Sequence, residues 1–380
     1  MMKRNKLNIV CLLDFFSYFG GTEYVNYNLI AGLKELGHDI TVCVCERLSF
    51  GTWAEMLRDI GVEMIVSEHP YDSSNSLDNQ FDFITNVVDK LIEKKKPNVI
   101  FAHPPGKLLI AYLKLHPQSD IPVLAMEYTV PSENTKYWYH PELNSVQSRI
   151  TAYIAKCDEA EEGLRNYYGY TGKIYRLPNI VAKAPKPDES VSGELLSVGC
   201  VARLSPEKGI GFLLGAWKLI IEKKPDAHLH IYGHGLHEEY YQLLTDNLGI
   251  RPYVTFEGTF HPVSGIDDIA PRHKIFVQPS LFESIPNSLI ELALRKKAIV
   301  ATDAGGIPEL IRPDKNEGIL VKAGSTDMLA AAVLRLMNDE ELTETIAENA
   351  YTHAAELYDY DRTIQRYEYI INEVTSGGAV

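Results

Sequence analysis

The chain has 380 residues, of which 45% are hydrophobic and 23% are charged. This composition is that of an ordinary folded protein and excludes global disorder. A single hydrophobic core stops growing at about 250–300 residues, so the length predicts two to three domains. The 37 basic and 51 acidic residues give a formal net charge of −14. A surface of this sign repels a phosphate backbone and excludes a general nucleic-acid binder, although a local Arg and Lys cluster could still hold a small anion.

The cysteines and the N-terminal run bear on the cellular compartment. The five cysteines show no metal-ligand spacing, and four of them lie in apolar, strand-like runs, which predicts core thiols in a reducing cytoplasm. Lys3, Arg4 and Lys6 precede the apolar run Leu7–Leu13, as in a secretion signal. This run is short, Asp14 closes it, and no small-residue cleavage site follows, so we interpret it as a buried strand.

The predicted elements of the first half alternate between strands and helices. The apolar run Leu7–Leu13 is typical of a strand buried on both faces. A glycine pair follows, and apolar residues then recur at helical spacing until Gly37, where a helix would end. The other elements predicted in this half are strands at Ile40–Val44, Val99–Ala102 and Pro122–Met126 and a helix over Phe81–Leu91. Such alternation predicts a parallel, doubly wound α/β sheet.

The same pattern restarts after residue 180. Val181–Gly193 has the proline and charge content of a linker. Beyond it we predict strands at Leu195–Val201, His228–Tyr232, Lys274–Val277 and Ala298–Ala301 and a helix at Gly211–Glu222. The last 20 or so residues predict an amphipathic helix on Ile364, Tyr367 and Ile371. Because ligands bind at the carboxyl ends of parallel strands, two such halves indicate a nucleotide-handling enzyme or binding protein.

The segment from Ser280 to Glu309 combines a strand end, a loop and a helix start. The strand ends near Gln278, and Pro286 or Asn287 opens the helix. The free backbone N–H groups and the dipole at a helix start attract negative charge. We therefore expect an anion site here.

Two glutamates of this segment have alternative interpretations. Glu291 is predicted in the first turn of the helix, within reach of hydroxyl groups on the ligand that carries the phosphates. Alternatively, Ser288 and Glu291 form a capping box that needs no ligand. Glu283 is either a ligand contact or a solvated loop carboxylate. Taken singly, neither glutamate decides between these interpretations.

With its surroundings, this segment resembles the retaining GT-B glycosyltransferases of family 4. Glu283 and Glu291 have the seven-residue separation of the family's frame Glu-x-x-Pro-Asn-x-x-x-Glu. The stretch Gly305–Glu309 matches the Gly-Gly-x-Pro-Glu turn that follows in the family. Only Leu292 departs from the usual Ala beside the second glutamate.

The resemblance assigns donor-binding roles in the second half. Arg203 would offer a planar fork and Lys208 a point charge to the donor diphosphate; the alternative is a pair of ordinary surface cations. Gly233 matches a Gly-x-Gly turn that a tight turn would also need, and Thr259 or Phe260 is expected near the nucleobase. Glu283 would bind hydroxyl groups of the donor sugar and Glu291 the ribose. The helix opening would contribute the donor-binding residues Pro286, Asn287, Ser288 and Leu289.

The resemblance also reaches the first half. Gly20 and Gly21 match the family's glycine pair, whose backbone can approach the donor closely, although a plain strand–helix turn is the alternative. His103 has the strand-end place of a histidine that contacts the donor sugar, and the alternative is a structural histidine. Glu127 and Tyr128 stand where many relatives carry a histidine. Acceptor recognition is therefore expected to differ, or the chain binds without catalysis.

The fold implied is GT-B, an α/β architecture of two Rossmann-like, doubly wound parallel-sheet domains facing across a cleft. Residues 1–181 would form the acceptor domain, residues 182–357 the donor domain, and residues 358–380 a terminal helix that crosses back to the first domain. The activity implied is transfer of a hexose from a nucleotide diphosphate sugar, preferably a UDP-sugar, to a hydroxyl group of a glycan, lipid-linked or small-molecule acceptor, with retained anomeric configuration. His103, Arg203, Lys208 and Glu283 would be the catalytic residues.

No cofactor and no metal are implied, because cationic side chains and helix N-termini neutralise the leaving diphosphate in this family. The Asp-x-Asp at Asp359–Asp361 is interpreted as an acidic pair before a helix. The first half carries less net negative charge than the second, which permits weak contact with the inner face of the membrane. The alternatives are a GDP-mannose-dependent mannosyltransferase, a non-catalytic nucleotide-sugar-binding relative, and an epimerase, which would lack the paired glutamates.

Overall fold

The computed structural model describes residues 6–14, 20–44, 52–66, 77–133, 135, 142–187, 191–261 and 263–376. The chain forms two structural units. One comprises the described residues up to Ile180 together with those from Asp361 onward, and the other is Val181–Tyr360. The sequence placed these boundaries at 181/182 and 357/358.

The first unit is built on a seven-stranded sheet in the order β3-β2-β1-β4-β5-β6-β7, and all of its neighbouring strands are parallel. Its strands are β1 (Asn8–Leu13), β2 (Asp39–Val44), β3 (Glu63–Val66), β4 (Val99–Ala102), β5 (Val123–Met126), β6 (Ala152–Ala155) and β7 (Lys173–Arg176). Its helices are α1 (Gly21–Glu35), α2 (Thr52–Asp59), α3 (Leu77–Lys95), α4 (Lys107–Leu115), α5 (Leu143–Val146) and α6 (Asp158–Asn166). The apolar runs of β4, β5 and β6 are fully buried, as a parallel sheet covered on both faces requires.

The second unit is built on a six-stranded parallel sheet in the order β10-β9-β8-β11-β12-β13. Its strands are β8 (Glu194–Val201), β9 (His228–Tyr232), β10 (Val254–Gly258), β11 (His273–Gln278), β12 (Ala298–Thr302) and β13 (Ile319–Val321). Its helices are α7 (Ile210–Ile221), α8 (Glu238–Asn247), α9 (Gly265–Ile269), α10 (Asn287–Ala293), α11 (Ile307–Leu310), α12 (Thr326–Asn338) and α13 (Glu340–Leu357). The predicted fold class, with two parallel-sheet Rossmann-like domains, is confirmed.

The final helix, α14 (Tyr360–Thr375), belongs to the first unit from Asp361 onward. Its apolar positions Ile364, Tyr367 and Ile371 are buried, as their helical spacing predicts. The hydroxyl of Tyr367 donates to the carbonyl oxygen of Pro178 at 3.1 Å. The last segment of the chain thus completes the core of the first unit.

None of the helices in the described part of the chain combines the length and the apolarity that a bilayer crossing requires.

Candidate active site

The structure brings Lys208 and Glu283 together in the second unit. Lys208 ends a short 3-10 turn after β8, and Glu283 lies in the loop between β11 and α10. The Lys208 ammonium donates to Glu283 Oε1, and the two side chains are only 17% and 10% exposed. The hydroxyl of Ser280 also donates to Glu283 Oε1, at 3.0 Å. Residues 75 positions apart therefore form one partly desolvated ion pair.

Arg203 lies in the same loop as Lys208 but is far more exposed, at 58% of its side chain. Its guanidinium contacts Glu207 Oε1 at 3.0 Å and the hydroxyl of Ser205 at 3.3 Å. The pKa of Glu207 is lowered, because hydrogen bonds and the nearby cations outweigh the opposing effect of its burial. Arg203 is therefore accessible to an anionic ligand, and if it turned away, the Glu207 carboxylate would still accept from the hydroxyl of Ser205 at 2.5 Å.

Backbone contacts hold the two loops together. The amide of Leu281 donates to the carbonyl oxygen of Glu207 at 2.8 Å. Gly209 has a φ of +67°, and a Cβ atom at this position would overlap the carbonyl oxygen of Pro279. The basic loop can pack this closely on the Glu283 loop only because position 209 is glycine.

The Gly-Gly-x-Pro-Glu turn supports Glu283 from the other side. Gly305 has a φ of +55°, and a Cβ atom there would overlap the carbonyl oxygen of Glu283. The next residue, Gly306, donates its amide to the carbonyl oxygen of Ser284 at 2.7 Å. The glycine turn thus fixes the backbone position of Glu283.

The capping-box interpretation of Glu291 is wrong. Helix α10 has Pro286 as its N-cap and shows no side-chain cap, so Ser288 already lies inside the helix. The Ser288 hydroxyl donates to Gln278 Oε1 at 3.4 Å. Glu291 is the fifth helical residue and not part of the first turn, because the helix begins directly after Pro286. It is buried, and its carbonyl oxygen accepts from Arg295 at 2.9 Å.

The remaining donor-site candidates of the second unit lie at or near strand ends. Gly233 follows β9, and its amide donates to the carbonyl oxygen of Gly258 at 2.8 Å. Thr259 is exposed, whereas Phe260 is half-buried against the apolar cluster that includes Tyr232 and Phe276. At the opening of α10, Asn287 is the first helical residue and Leu289 is buried. Their contacts with a nucleotide stay predictions.

In the first unit, Gly20 is the N-cap of α1 and Gly21 its first residue. The carboxylate of Glu23, in the first helical turn, fills the space that a Cβ atom of Gly20 would occupy. A negative charge here complements the helix dipole. It also means that a donor diphosphate could approach this glycine pair only if the Glu23 side chain moved.

His103 follows β4 and is completely buried. Its Nδ1 atom lies 2.8 Å from Asn26 Oδ1 and 3.4 Å from the hydroxyl of Tyr128. Burial, with a smaller contribution from the charge of Lys156, holds the pKa of His103 well below its ordinary value. The imidazole is therefore neutral and can accept or donate a hydrogen bond.

Sequence reasoning missed three polar residues at this carboxyl edge. Asn26 on α1 and Lys156 directly after β6 are both buried. Asp14, which directly follows β1, accepts from the amide of Leu108 at 3.0 Å and so caps α4. A polar residue at the end of an apolar strand is a signal that marks Asp14 and Lys156, whereas Asn26 has none.

Glu127 and Tyr128, which replace the expected histidine, have separate environments. Glu127 is buried, and its Oε1 atom accepts from the amide and the hydroxyl of Thr129 at 2.9 and 2.7 Å. The hydroxyl of Tyr128 instead donates to Asn26 Oδ1. Tyr128 therefore belongs to the group around His103.

Family models match both halves of the chain. Residues 19–185 match the model described as Glycosyltransferase Family 4, and residues 186–353 match the model described as Glycosyl transferases group 1. The chain belongs to the family 4 glycosyltransferases, whose GT-B architecture its two parallel sheets display.

Several named proteins are similar to this chain at low identity. The chain is 31% identical over 150 residues to alpha-D-kanosaminyltransferase of Streptomyces kanamyceticus, covering 40% of this chain and 38% of the relative. It is 21% identical over 289 residues to poly(ribitol-phosphate) alpha-N-acetylglucosaminyltransferase of Staphylococcus aureus, covering 75% and 57%. It is 24% identical over 370 residues to an uncharacterized glycosyltransferase of Haemophilus influenzae, covering 93% and 96%. The chain thus spans less than two thirds of the first two relatives.

Two solved structures share the fold over nearly the whole chain. Sucrose-phosphate synthase from Thermosynechococcus elongatus superposes with a TM-score of 0.78 at 15% identity, covering 98% of this chain and 100% of that one. The HepE protein of Anabaena, solved in complex with UDP and glucose, superposes with a TM-score of 0.77 at 19% identity, covering 96% and 99%.

Proposed function

We propose that this chain transfers a hexosyl group from a UDP-sugar to a hydroxyl group of a glycan or a lipid-linked acceptor. The observation that carries the proposal is the ion pair of Lys208 and Glu283, held in place by the glycine turn at Gly305. Its support from the comparisons is that HepE, which has the same fold, was solved with UDP and glucose.

Lys208 and Arg203 are proposed to neutralise the diphosphate as it leaves. The bond between the anomeric carbon and the diphosphate oxygen breaks while the acceptor oxygen bonds to the same carbon on the same face. The proton of the acceptor hydroxyl passes to a phosphate oxygen of the leaving group. This course retains the anomeric configuration, and its catalysis is electrostatic because fixed cations face the charge that develops. In this mechanism the cations take the place of a metal ion.

Glu283 is proposed to exchange partners when the donor binds. In the structure its carboxylate accepts from the Lys208 ammonium and the Ser280 hydroxyl. A diphosphate attracts Lys208 more strongly than one carboxylate does, since it carries at least two negative charges. Glu283 then becomes available to accept from hydroxyl groups of the sugar. Glu291, which needs no role as a helix cap, is proposed to bind the ribose.

A thermal-shift panel tests the donor. UDP-glucose, UDP-galactose, UDP-N-acetylglucosamine and GDP-mannose are added to the purified chain. A ligand at 100 times its dissociation constant raises the apparent stability by about 2.7 kcal/mol, so we expect a UDP-sugar to stand out. A shift with GDP-mannose alone would favour the mannosyltransferase alternative.

Release of UDP tests whether the chain is an enzyme. Arg203→Ala is expected to lower turnover by about 10²–10³-fold, as for the loss of one group that stabilises the transition state. Arg251→Ala is the matched control, because Arg251 is a similarly exposed arginine of the same unit, 3.9 Å from Asp246. UDP-sugar binding without release above background across a broad acceptor panel would instead identify a non-catalytic binding protein.

A further inference from the structure

Asn26, His103 and Tyr128, here called the Asn26 cluster, join three elements at the carboxyl edge of the first sheet. Asn26 and His103 have no exposed surface. Asn26 Oδ1 accepts from the hydroxyl of Tyr128 and lies 2.8 Å from His103 Nδ1. One amide oxygen therefore holds the phenol and the imidazole at once.

The single proton of the Tyr128 hydroxyl determines the orientation of the Asn26 amide. The Tyr128 hydroxyl lies 3.4 Å from His103 Nδ1. Its other two neighbouring acceptors are Asn26 Oδ1 and the sulfur of Met126, which is 3.8 Å away. A thioether is a weak acceptor, so the phenol proton is bonded only if the amide presents its oxygen. The reversed amide would leave the phenol proton without a good acceptor.

This orientation fixes the tautomer of His103. Because Asn26 presents an oxygen, His103 Nδ1 must carry the proton of the neutral ring. His103 Nε2 is then an acceptor without a hydrogen atom. The ammonium of Lys156, which lies 5.5 Å from the centre of the Tyr128 ring, disfavours a second proton on the imidazole.

Two buried atoms of the Asn26 cluster make no hydrogen bond with any described residue: His103 Nε2 and Asn26 Nδ2. Leaving a buried polar atom without a partner costs about 1–3 kcal/mol. One of these atoms accepts and the other donates, and they belong to side chains that are bonded to each other. A hydroxyl group has the complementary pair of functions.

We propose that Asn26 and Tyr128 are positioning residues that hold His103 in the Nδ1–H tautomer, so that His103 Nε2 accepts from a hydroxyl group of the transferred sugar while Asn26 Nδ2 donates to a sugar oxygen. The proposal rests on the proposed function. The Asn26 and His103 side chains are both fully buried, so sugar binding has to displace the groups that cover them. The cluster selects sugars that carry a hydroxyl group at the position it contacts.

The tautomer is tested without any substrate. The protein is labelled with ¹⁵N-histidine, and His103 is assigned by comparison with His103→Gln. In the native protein we expect the ¹⁵N chemical shifts of a neutral ring that is protonated at Nδ1 and unprotonated at Nε2. In Tyr128→Phe we expect the shifts of a mixture of tautomers or of the Nε2–H tautomer. Tyr112→Phe is the control, because it also removes a hydroxyl from a buried tyrosine of the first unit. A native Nε2–H tautomer would overturn the proposal.

Sugar selection is tested with UDP-glucose and its 2-, 3-, 4- and 6-deoxy analogues. A buried site built around a hydroxyl group rejects the analogue that lacks it by up to about 10⁴-fold in kcat/KM. Asn26→Leu and Tyr128→Phe are expected to reduce that discrimination at least tenfold at one position, with unchanged affinity for UDP. Asn28→Ala, another buried asparagine of α1, should leave it intact.

Equal discrimination in Asn26→Leu and Asn28→Ala, or no discrimination at any position, would refute the sugar contact. If no UDP-sugar binds the native protein, the proposed function fails and the sugar contact fails with it. The nitrogen shifts of His103 still decide the tautomer in that case. The two failures are therefore distinguishable.

Discussion

Lys156 gives the sharpest prediction on stability. Its side chain is buried directly after β6, and its ammonium donates to the Tyr367 hydroxyl and lies 3.3 Å from the sulfur of Met126. Among the described residues, no carboxylate oxygen forms an ion pair with it. Burial, with a smaller contribution from Arg176, lowers the pKa of Lys156 from 10.5 to about 7.

The pKa shift of Lys156 sets the size and the sign of its contribution to the free energy of unfolding. Each pKa unit corresponds to about 1.4 kcal/mol, so a shift from 10.5 to about 7 corresponds to at most about 5 kcal/mol. Between these pH values the unfolded chain binds the Lys156 proton and the folded chain does not. The contribution of Lys156 to stability therefore rises with pH through this window, and its full cost is present below pH 7.

The perturbation is Lys156→Met, which keeps the length of the side chain and removes its charge. Denaturant unfolding is followed from pH 6 to pH 10. At pH 6 we expect the free energy of unfolding of the variant to exceed that of the native protein by several kcal/mol. This difference should shrink steadily toward pH 10. In Lys274→Met no such trend is expected, because hydrogen bonds to Glu340 and Glu344 raise the pKa of Lys274. A difference between Lys156→Met and the native protein that stays constant with pH would refute the reasoning.

Three other predictions concern the second unit and the proposed reaction. Gly305→Ala should lower the free energy of unfolding, measured by calorimetry, by at least 1–3 kcal/mol. Gly249→Ala should lower it less, because Gly249 also has a positive φ but open space around it, and equal losses would contradict the contact of Gly305 with Glu283. Burial, with a contribution from His230, lowers the pKa of His273 to about 4, so stability should fall by about 3 kcal/mol between pH 6.5 and pH 4, and His273→Gln should flatten this dependence in pH-resolved unfolding curves. Turnover should survive excess EDTA; complete loss restored by Mg²⁺ would show that the cations of the basic loop do not suffice.

The alternation of apolar runs with helical repeats was enough to predict both sheets. The strands at Val99–Ala102 and His228–Tyr232 have the predicted bounds, and β1 begins one residue later than predicted. β1 and β4 are central strands buried on both faces, so their sequences are nearly continuous apolar runs. In β9 the apolar residues are buried, but the two histidines that alternate with them are only half-buried. The edge strands β3 and β7 are short and partly exposed, and no such run marks them.

The site was predictable where one local frame carries it, as in Glu283 and Gly305. The ion pair of Lys208 with Glu283 and the Asn26 cluster could not be predicted, because each depends on the order of the strands in its sheet. β1, β4 and β5 are neighbours in space, whereas His103 is 77 residues from Asn26 and 25 from Tyr128 in the chain. The prediction that Glu291 lies in the first helical turn was wrong for a local reason: Pro286, and not Ser288, is the N-cap of the helix.

The place of α14 has a consequence for how the protein is made. The second unit is continuous in the chain, but the first unit needs residues that follow it. At about 5–20 residues per second, a ribosome takes about 10–40 s to pass from Val181 to Tyr360. During that time Lys156 lacks the Tyr367 hydroxyl, and the surface that covers Ile364 and Ile371 is open. The nascent first unit therefore waits, with an uncovered apolar surface and with Lys156 lacking its hydroxyl partner, until the second unit has been synthesised.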